Sequence, residues 1–409
     1  MNIALFEDAA VSQLAPFTWL RAAFELRCGR DTLLDKIRKH VSAEVGRAFV
    51  RPELQAVLDE RLELSKPEDG VWTLVNARAL VQADVMPPPT GVAWRSDATL
   101  LAATVTAAQF DAISSGLFLD DARLNAWLDD FTSEKPPEGV RAIGRPWDLM
   151  TANAAELARQ CRSGGAHEGA VHAGAHLVNA AEIYIAPEAV VKPGVVLDAE
   201  EGPIHIERGA VIEANAVLMG PCFIGPGSIV RPGATLRGGV TIGPVCKVGG
   251  EIECSVFQGR ANKQHDGFLG HSFVGEWVNL GADTVTSDLK NTYGAIRVHV
   301  NGVGAETGQH FVGSFIGDHA KTGIGSILPT GCVIGVAANV FTQKRIPKFV
   351  PSFAWLTDEG LTEYQVDKAI RIARTVMARR DTHLSHAEAA LLADVARRAR
   401  EVERAGWGE

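Results

Sequence analysis

Residues 206–254 read IERGAVIEANAVLMGPCFIGPGSIVRPGATLRGGVTIGPVCKVGGEIEC. Steps of six from Ile206 land on Ile212, Leu218, Ile224, Val230, Leu236, Ile242, Val248 and Cys254, every one apolar. At an apolar content of 46% such a run has a chance on the order of one in a thousand in a given register. The other columns agree. Gly225, Gly243 and Gly249 follow the apolar position, Pro226, Pro232 and Pro244 come next, and Gly209, Gly227 and Gly233 after that. Small residues (Ala210, Ala216, Cys222, Ser228, Ala234, Cys246) stand two places before it. An aliphatic side chain every sixth residue cannot make one face of an α-helix, but it suits short parallel strands that turn corners. The expectation is a left-handed parallel β-helix of about three hexapeptides per coil, over 183–341.

The same step extends both ways. Ile185, Val191 and Leu197 keep it before a slip at Glu200–Pro203, and Phe268, Val274, Leu280, Ile316, Thr322, Leu328, Ile334 and Val340 keep it after. Cys222, Cys246 and Cys332 then read as small core residues. The period fails in two places. Around 260–272 the expected inward position is Asn262, and 286–315 carries alternation about Asn301-Gly302, a hairpin signal. A loop leaving a rigid coil is a common place for a site.

Elsewhere the chain changes character. Up to residue 146, apolar runs (NIALF, VWTLVN, GVAWR) alternate with helix-like DTLLDKIRKHV, which predicts a separate α/β domain. A helical linker is expected at 147–182, with Asn153 as N-cap and Glu156 three residues on. A helical tail is expected at 342–409, with capping spacings at Thr362/Gln365 and Ser385/Glu388 and an apolar stripe of Val366, Ile370, Ala373 and Met377.

The 409 residues carry 40 Lys and Arg against 49 Asp and Glu, a net charge of −9, which argues against nucleic acid or anionic lipid as a partner. No apolar run approaches a membrane span and the start lacks signal-peptide character, so the reading is a cytoplasmic protein. The six cysteines form no CxxC pair, so neither a disulfide framework nor a zinc knuckle is indicated.

HDGFLGHSFVGEWVNLGADT (265–284), continuing into SDLKN, resembles the segment that carries the catalytic histidine in the bifunctional glucosamine-1-phosphate N-acetyltransferase / N-acetylglucosamine-1-phosphate uridyltransferase family. SVFQGRANKQHDGFLGHS, GDHAKTGIG and KFVPSFAW are similar to a divergent bacterial sugar nucleotidyltransferase group of that family, as are FED near the start and LRCG at 26–29. The resemblance implies an acetyl-CoA-dependent N-acetyltransferase acting on an amino-sugar phosphate or nucleotide amino sugar. His265 would be the general base. It also implies a substrate site of Arg231, Phe268, Asn279, Asp288 and Lys290, with Lys247 or Lys263 in place of a family lysine missing near Glu251 and Glu253. Acetyl-CoA contacts would fall on Ala282, Gly323 and Gly335, and the protein would be a homotrimer.

Nucleotidyl transfer would need a Gly-rich phosphate loop, a basic residue and a carboxylate for Mg²⁺. The loop position reads FEDAAVSQ (6–13) without a glycine, the expected Pro-Lys is Ala22-Ala23, and the metal-binding Asp is replaced within Asn76–Arg78. Arg21, Arg27, Arg30, Lys36 and Arg78 are what remains basic there. The expectation is a domain that keeps the fold with a weak or lost reaction, Mg²⁺ being needed only if the reaction is retained. The alternative is a sugar-1-phosphate nucleotidyltransferase that uses the coil as a trimerisation scaffold. A zinc site of His265, His271, His310 and His319 is disfavoured, because residues six apart fall on different faces of a triangular coil.

Overall fold

In the computed structural model, which describes residues 2–41, 44–66, 70–161 and 164–404, the chain divides into two compact units. One holds the chain up to Leu14, Leu20–Leu26 and Asp31–Arg145; the other holds Ala15–Trp19, Arg27–Arg30 and the chain from Pro146 on.

The first unit is built on β1 (Asn2–Phe6), β2 (Val45–Phe49), β3 (Trp72–Asn76), β4 (Ala79–Val81), β5 (Val92–Ser96), β6 (Thr99–Val105), β7 (Thr132–Glu134) and β8 (Val140–Ala142). Six of these form a mixed sheet in the order β2-β1-β3-β6-β5-β7, while β4 pairs with β8. β1 runs parallel to both β2 and β3. All five of its residues are buried, which is why NIALF reads as continuous apolar sequence rather than alternation. The expected helix spans Leu33–Val41.

The second unit is a parallel β-solenoid with helices before and after it. Three stacked sheets carry it: nine strands from Ile183–Ile185 to Phe349–Val350, six from His176–Val178 to Phe268–Gly270, and six from Ala170–Val171 to Asn262–Lys263. Ile206, Ile224 and Ile242 stack in register, as the hexapeptide step requires. The column residues from Ile206 to Val248, with Cys222, Cys246 and Cys332, are fully buried.

The coil departs from the strict step after Val248. Leu236 pairs with Ile252, so the inward place falls on Ile252 and Cys254 is left half-exposed at the corner. Val248 then pairs with Lys263, and Ile252 with Leu269. Inward positions expected at Asn262 and Phe268 therefore belong to their neighbours. These coils are shorter than three hexapeptides, which a fixed step of six cannot follow. In the excursion, Arg297–Val300 and Val303–Glu306 pair antiparallel around Asn301 and Gly302, both at positive φ.

The coil also reaches further than 183–341. Ala170–Val171 and His176–Val178 already belong to its sheets, as do Phe349–Val350, Ala354–Thr357 and Gly360–Glu363 at the other end. The helix expected to start at Asn153 runs Pro146–Gln160. Asn153 lies buried inside it and is not its cap. Its side chain accepts from Gly29 N at 2.7 Å and from Thr241 Oγ1 at 3.0 Å, and donates to Gly239 O at 2.9 Å. Arg162 and Ser163, within the expected linker, lie outside the described residues, as do 405–409 of the tail.

Thr362 belongs to the Gly360–Glu363 strand rather than to a cap, and the next helix runs Val366–Ala378 behind Gln365. Its inward residues are Ala369, Ala373 and Met377. Ser385 and Glu388 do form a capping box, opening the helix His386–Val402. Among the described residues no helix is long and apolar enough to cross a membrane.

Candidate functional site

One edge of the solenoid, where its chain turns out of the Asn262–Lys263 sheet, gathers most of the solenoid residues expected at the site. Lys263 fills the inward place between Val248 and Leu280 and is 1% exposed. Its Nζ donates to Gly249 O and His265 O, both at 2.9 Å. Burial pushes the lysine down to about 8, against the opposing pull of Asp266 and Asp283. Lys263 is thus an internal brace of the turn and does not face a ligand. His265, two residues on, is exposed.

Stacking brings the neighbours together. A Cβ on Gly249 would meet Gln264 O at 2.6 Å and Arg231 Cβ at 3.2 Å, so Arg231 lies on this edge two coils below Gln264. Asn262 bridges to Asn279, and Asn262 Nδ2 donates to Asn279 Oδ1 at 3.4 Å. Gly281 packs on Gly323, and Gly323 on Phe341, which sets Ala282 and Gly323 along the same edge above His265.

Beside this edge lies a cavity of about 340 Å³, walled by Lys247, Asn262, Gln264, Arg379, Arg380 and Asp381 among others. Arg380 donates to Asn262 Oδ1 and to Val245 O. Three cations face one aspartate there, on a chain that is acidic overall. Arg379 and Arg380 were not singled out from the sequence, because the tail helix reads only as a packing stripe. Their adjacent basic pair at its C-terminal end was the available signal.

Other expected residues lie elsewhere. Phe268 pairs with Glu251 on the next sheet. Asp288 stands beyond the far end of that strand, where its Oδ2 meets His271 Nδ1 at 2.8 Å. Lys290 donates to Ala295 O within the excursion. Gly335 is buried, and a Cβ on it would come within 2.2 Å of Ser352 N. Among the described residues no group of three His, Cys, Asp or Glu side chains is placed to hold a metal ion.

In the first unit the groups at the phosphate-loop position are committed to one another. Glu7 is buried and accepts from Arg51 Nε at 2.9 Å, Ala23 N at 3.0 Å and Arg51 N at 3.2 Å. Asp8 accepts from Arg78 Nε at 2.8 Å, Arg78 Nη2 at 2.5 Å and Asn76 Nδ2 at 2.9 Å. Arg78 also donates to Ile143 O. Arg21 and Lys36 are 4% and 0% exposed. Arg27 and Arg30, expected with this domain, belong to the solenoid unit, where their backbone N–H groups donate to Gln258 and Gln160. Carboxylates so occupied do not fit a Mg²⁺ site.

A family model described as sugar nucleotidyl transferase matches residues 3–163, and one described as bacterial transferase hexapeptide (six repeats) matches 203–238. A bifunctional sugar-1-phosphate nucleotidylyltransferase/acetyltransferase of Sulfurisphaera tokodaii is 32% identical over 97 residues, 23% of this chain and 24% of that protein. The bifunctional protein GlmU of Methanococcus vannielii is 28% identical over 236 residues, 53% of this chain and 47% of its own. GlmU of a Jannaschia species is 34% identical over 137 residues, covering 33% and 28%. The matches span less than half the length of each of these relatives. Residues 3–163 thus match a sugar nucleotidyl transferase domain and 203–238 bacterial transferase hexapeptide repeats, and the chain is similar at modest identity to GlmU-type bifunctional proteins.

Proposed function

We propose that the protein is a sugar-phosphate transferase whose working site lies on the solenoid, transferring an acetyl group from acetyl-CoA to the amine of an amino-sugar phosphate. The basic cavity of Lys247, Arg379 and Arg380 beside the edge that presents His265 carries this reading. A phosphate there would meet a group of cations, and His265 would be the base that takes the amine proton during attack on the thioester. Ala282 and Gly323 lie further along the same edge, where the pantetheine arm would run. Arg231 and Asn279 would complete the sugar site.

The commitment of Glu7 to Arg51 and of Asp8 to Arg78 favours acetyl transfer over nucleotidyl transfer. Exposed Ile324, Ile327 and Phe341 at and near the edge suit contact with a second coil, so the working form would be a homotrimer with sites between neighbours. Acetyl-CoA consumption measured against a panel of amino-sugar phosphates, alongside pyrophosphate release from nucleoside triphosphates with sugar 1-phosphates, tests the reading. Turnover confined to the second assay would overturn it.

A further inference from the structure

Beyond the end of the Phe268–Gly270 strand that lies away from His265, successive coils stack Cys254, His271 and Asp288. Glu253 pairs with Gly270 in adjacent strands, so Cys254 and His271, the residues that follow, share one corner position. Both hold positive φ, 43° and 44°, and His271 N donates to Glu253 O at 3.1 Å. Asp288 stands 17 residues after His271, with Oδ2 2.8 Å from Nδ1. The imidazole also interacts with the Cys254 thiol.

Thiol, imidazole and carboxylate in this order make a nucleophile, its proton partner and the group that orients that partner. Burial works against the imidazolium, but its hydrogen bonds to Asp288 and Cys254 outweigh burial and raise His271 to about 9. The ring is therefore charged at neutral pH and can act as counter-ion to a thiolate. Of the six cysteines, Cys254 alone is not buried. One coil below, a Cβ on Gly239 would lie 3.3 Å from Cys254 Sγ, and the thiol donates to Gly238 O at 3.5 Å. In front of it opens a cavity of about 610 Å³ with Met150, Ala154, Leu289, Tyr293 and Phe311 in its wall. Phe311 stacks on His271 with ring centroids 5.2 Å apart.

We propose that Cys254, His271 and Asp288 form a second catalytic site, in which Cys254 takes an acyl group from an acyl thioester. Sγ attacks the carbonyl carbon, an Sγ–C bond forms, the donor's C–S bond breaks, and the departing thiolate collects the proton held by His271. The products are S-acyl Cys254 and a free thiol. One thioester replaces another, so no oxidant, reductant or metal is required. The neutral imidazole then takes the proton of the amine or water that releases the acyl group, which restores the thiolate and the imidazolium. The apolar wall of the cavity suits the acyl chain. The donor class is that of acetyl-CoA, but none of the residues around His265 takes part.

The test incubates the full-length protein with acetyl-CoA or hexanoyl-CoA, digests it and maps the acyl group by mass spectrometry. The expected result is a single acyl group on Cys254, removed by hydroxylamine and blocked by prior iodoacetamide. His271→Gln should slow its formation by about a hundredfold or more, and Asp288→Asn, which leaves the imidazole in place, should slow it less. His265→Ala should leave it unchanged. Wild-type Cys254 acylated no faster than free cysteine, or label spread over all six cysteines, overturns the proposal without reference to any variant. Loss of the adduct in His265→Ala would show one site rather than two and overturn it as well. Acyl-Cys254 formed in a protein that acetylates no amino-sugar phosphate would support this site and sink the reading at His265.

Discussion

Lys263 Nζ donates to the backbone carbonyl of His265 at 2.9 Å from inside the coil, in the place where Val248 stands one turn earlier. The cation braces the turn that presents the histidine. Its cost is burial, which lowers its pKa from 10.5 to about 8. Between these values the unfolded chain holds a proton that the folded chain has released, so this group adds stability as pH rises through the window and nothing below it. Compared with Lys263→Met, the wild type should gain up to ~3 kcal/mol between pH 8 and 10.5. Denaturant unfolding of both proteins at several pH values measures this, and a difference that stays flat across the window would contradict it.

Glu403 carries the opposite sign. Burial raises its carboxyl from 4.5 to about 7, against hydrogen bonds from Ser352 and Trp19. Between pH 4.5 and 7 the folded chain keeps a proton that the unfolded chain has lost, so stability falls as pH rises. Glu403→Gln removes the titration. Relative to the variant, the wild type should lose up to ~3 kcal/mol between pH 4.5 and 7.5, read by urea unfolding of the full chain at both ends of that range. Parallel stability curves would show that the carboxyl is ionised throughout.

The solenoid was legible because its core repeats: each inward aliphatic from Ile206 to Val248 answers to the same step, and glycines mark the corners. The candidate site was legible only where the chain kept a recognisable motif, as around His265. What the step could not give was the shortening after Val248, which moves Cys254 from core to corner and puts Lys263 inside. Coil length is set by how tightly each corner turns, and a period of six carries no record of that. The Cys254, His271 and Asp288 stack was present as an equal spacing along the chain, but it means nothing until the shortened coils are in register. Asn153 was misread for a related reason. Its neighbours Gly29, Thr241 and Gly239 are distant in sequence, so a local capping pattern was the only partner visible.

Arg78 and Asp8 give the first unit a buried ion pair with further hydrogen bonds to Asn76 and Ile143. Removing one partner leaves an uncompensated charge, so Arg78→Met should cost about 3–5 kcal/mol, whereas Asp8→Asn with Arg78→Met should recover much of that loss. A double-mutant cycle read by chemical unfolding checks the coupling. A single substitution costing under about 1 kcal/mol would mean the pair is solvated, reopening Asp8 as a ligand for a metal ion.

Lys247 offers the cleanest test of the basic cavity, because among the described residues its ammonium makes no hydrogen bond or ion pair, whereas Arg380 also holds Asn262 and Val245. If the cavity takes the phosphate, Lys247→Met removes a charged contact worth about 1.5–3 kcal/mol, and the KM for the amino-sugar phosphate should rise roughly ten- to a hundredfold with kcat nearly kept. His265→Ala should do the reverse, lowering kcat by about 10²–10⁴-fold with a modest change in KM. Adding salt should raise the wild-type KM and narrow the gap to Lys247→Met, since the lost term is screened charge. Equal losses of kcat in both variants, or a KM that ignores Lys247, would place the phosphate elsewhere on the edge, with Arg231 as the next cation to remove.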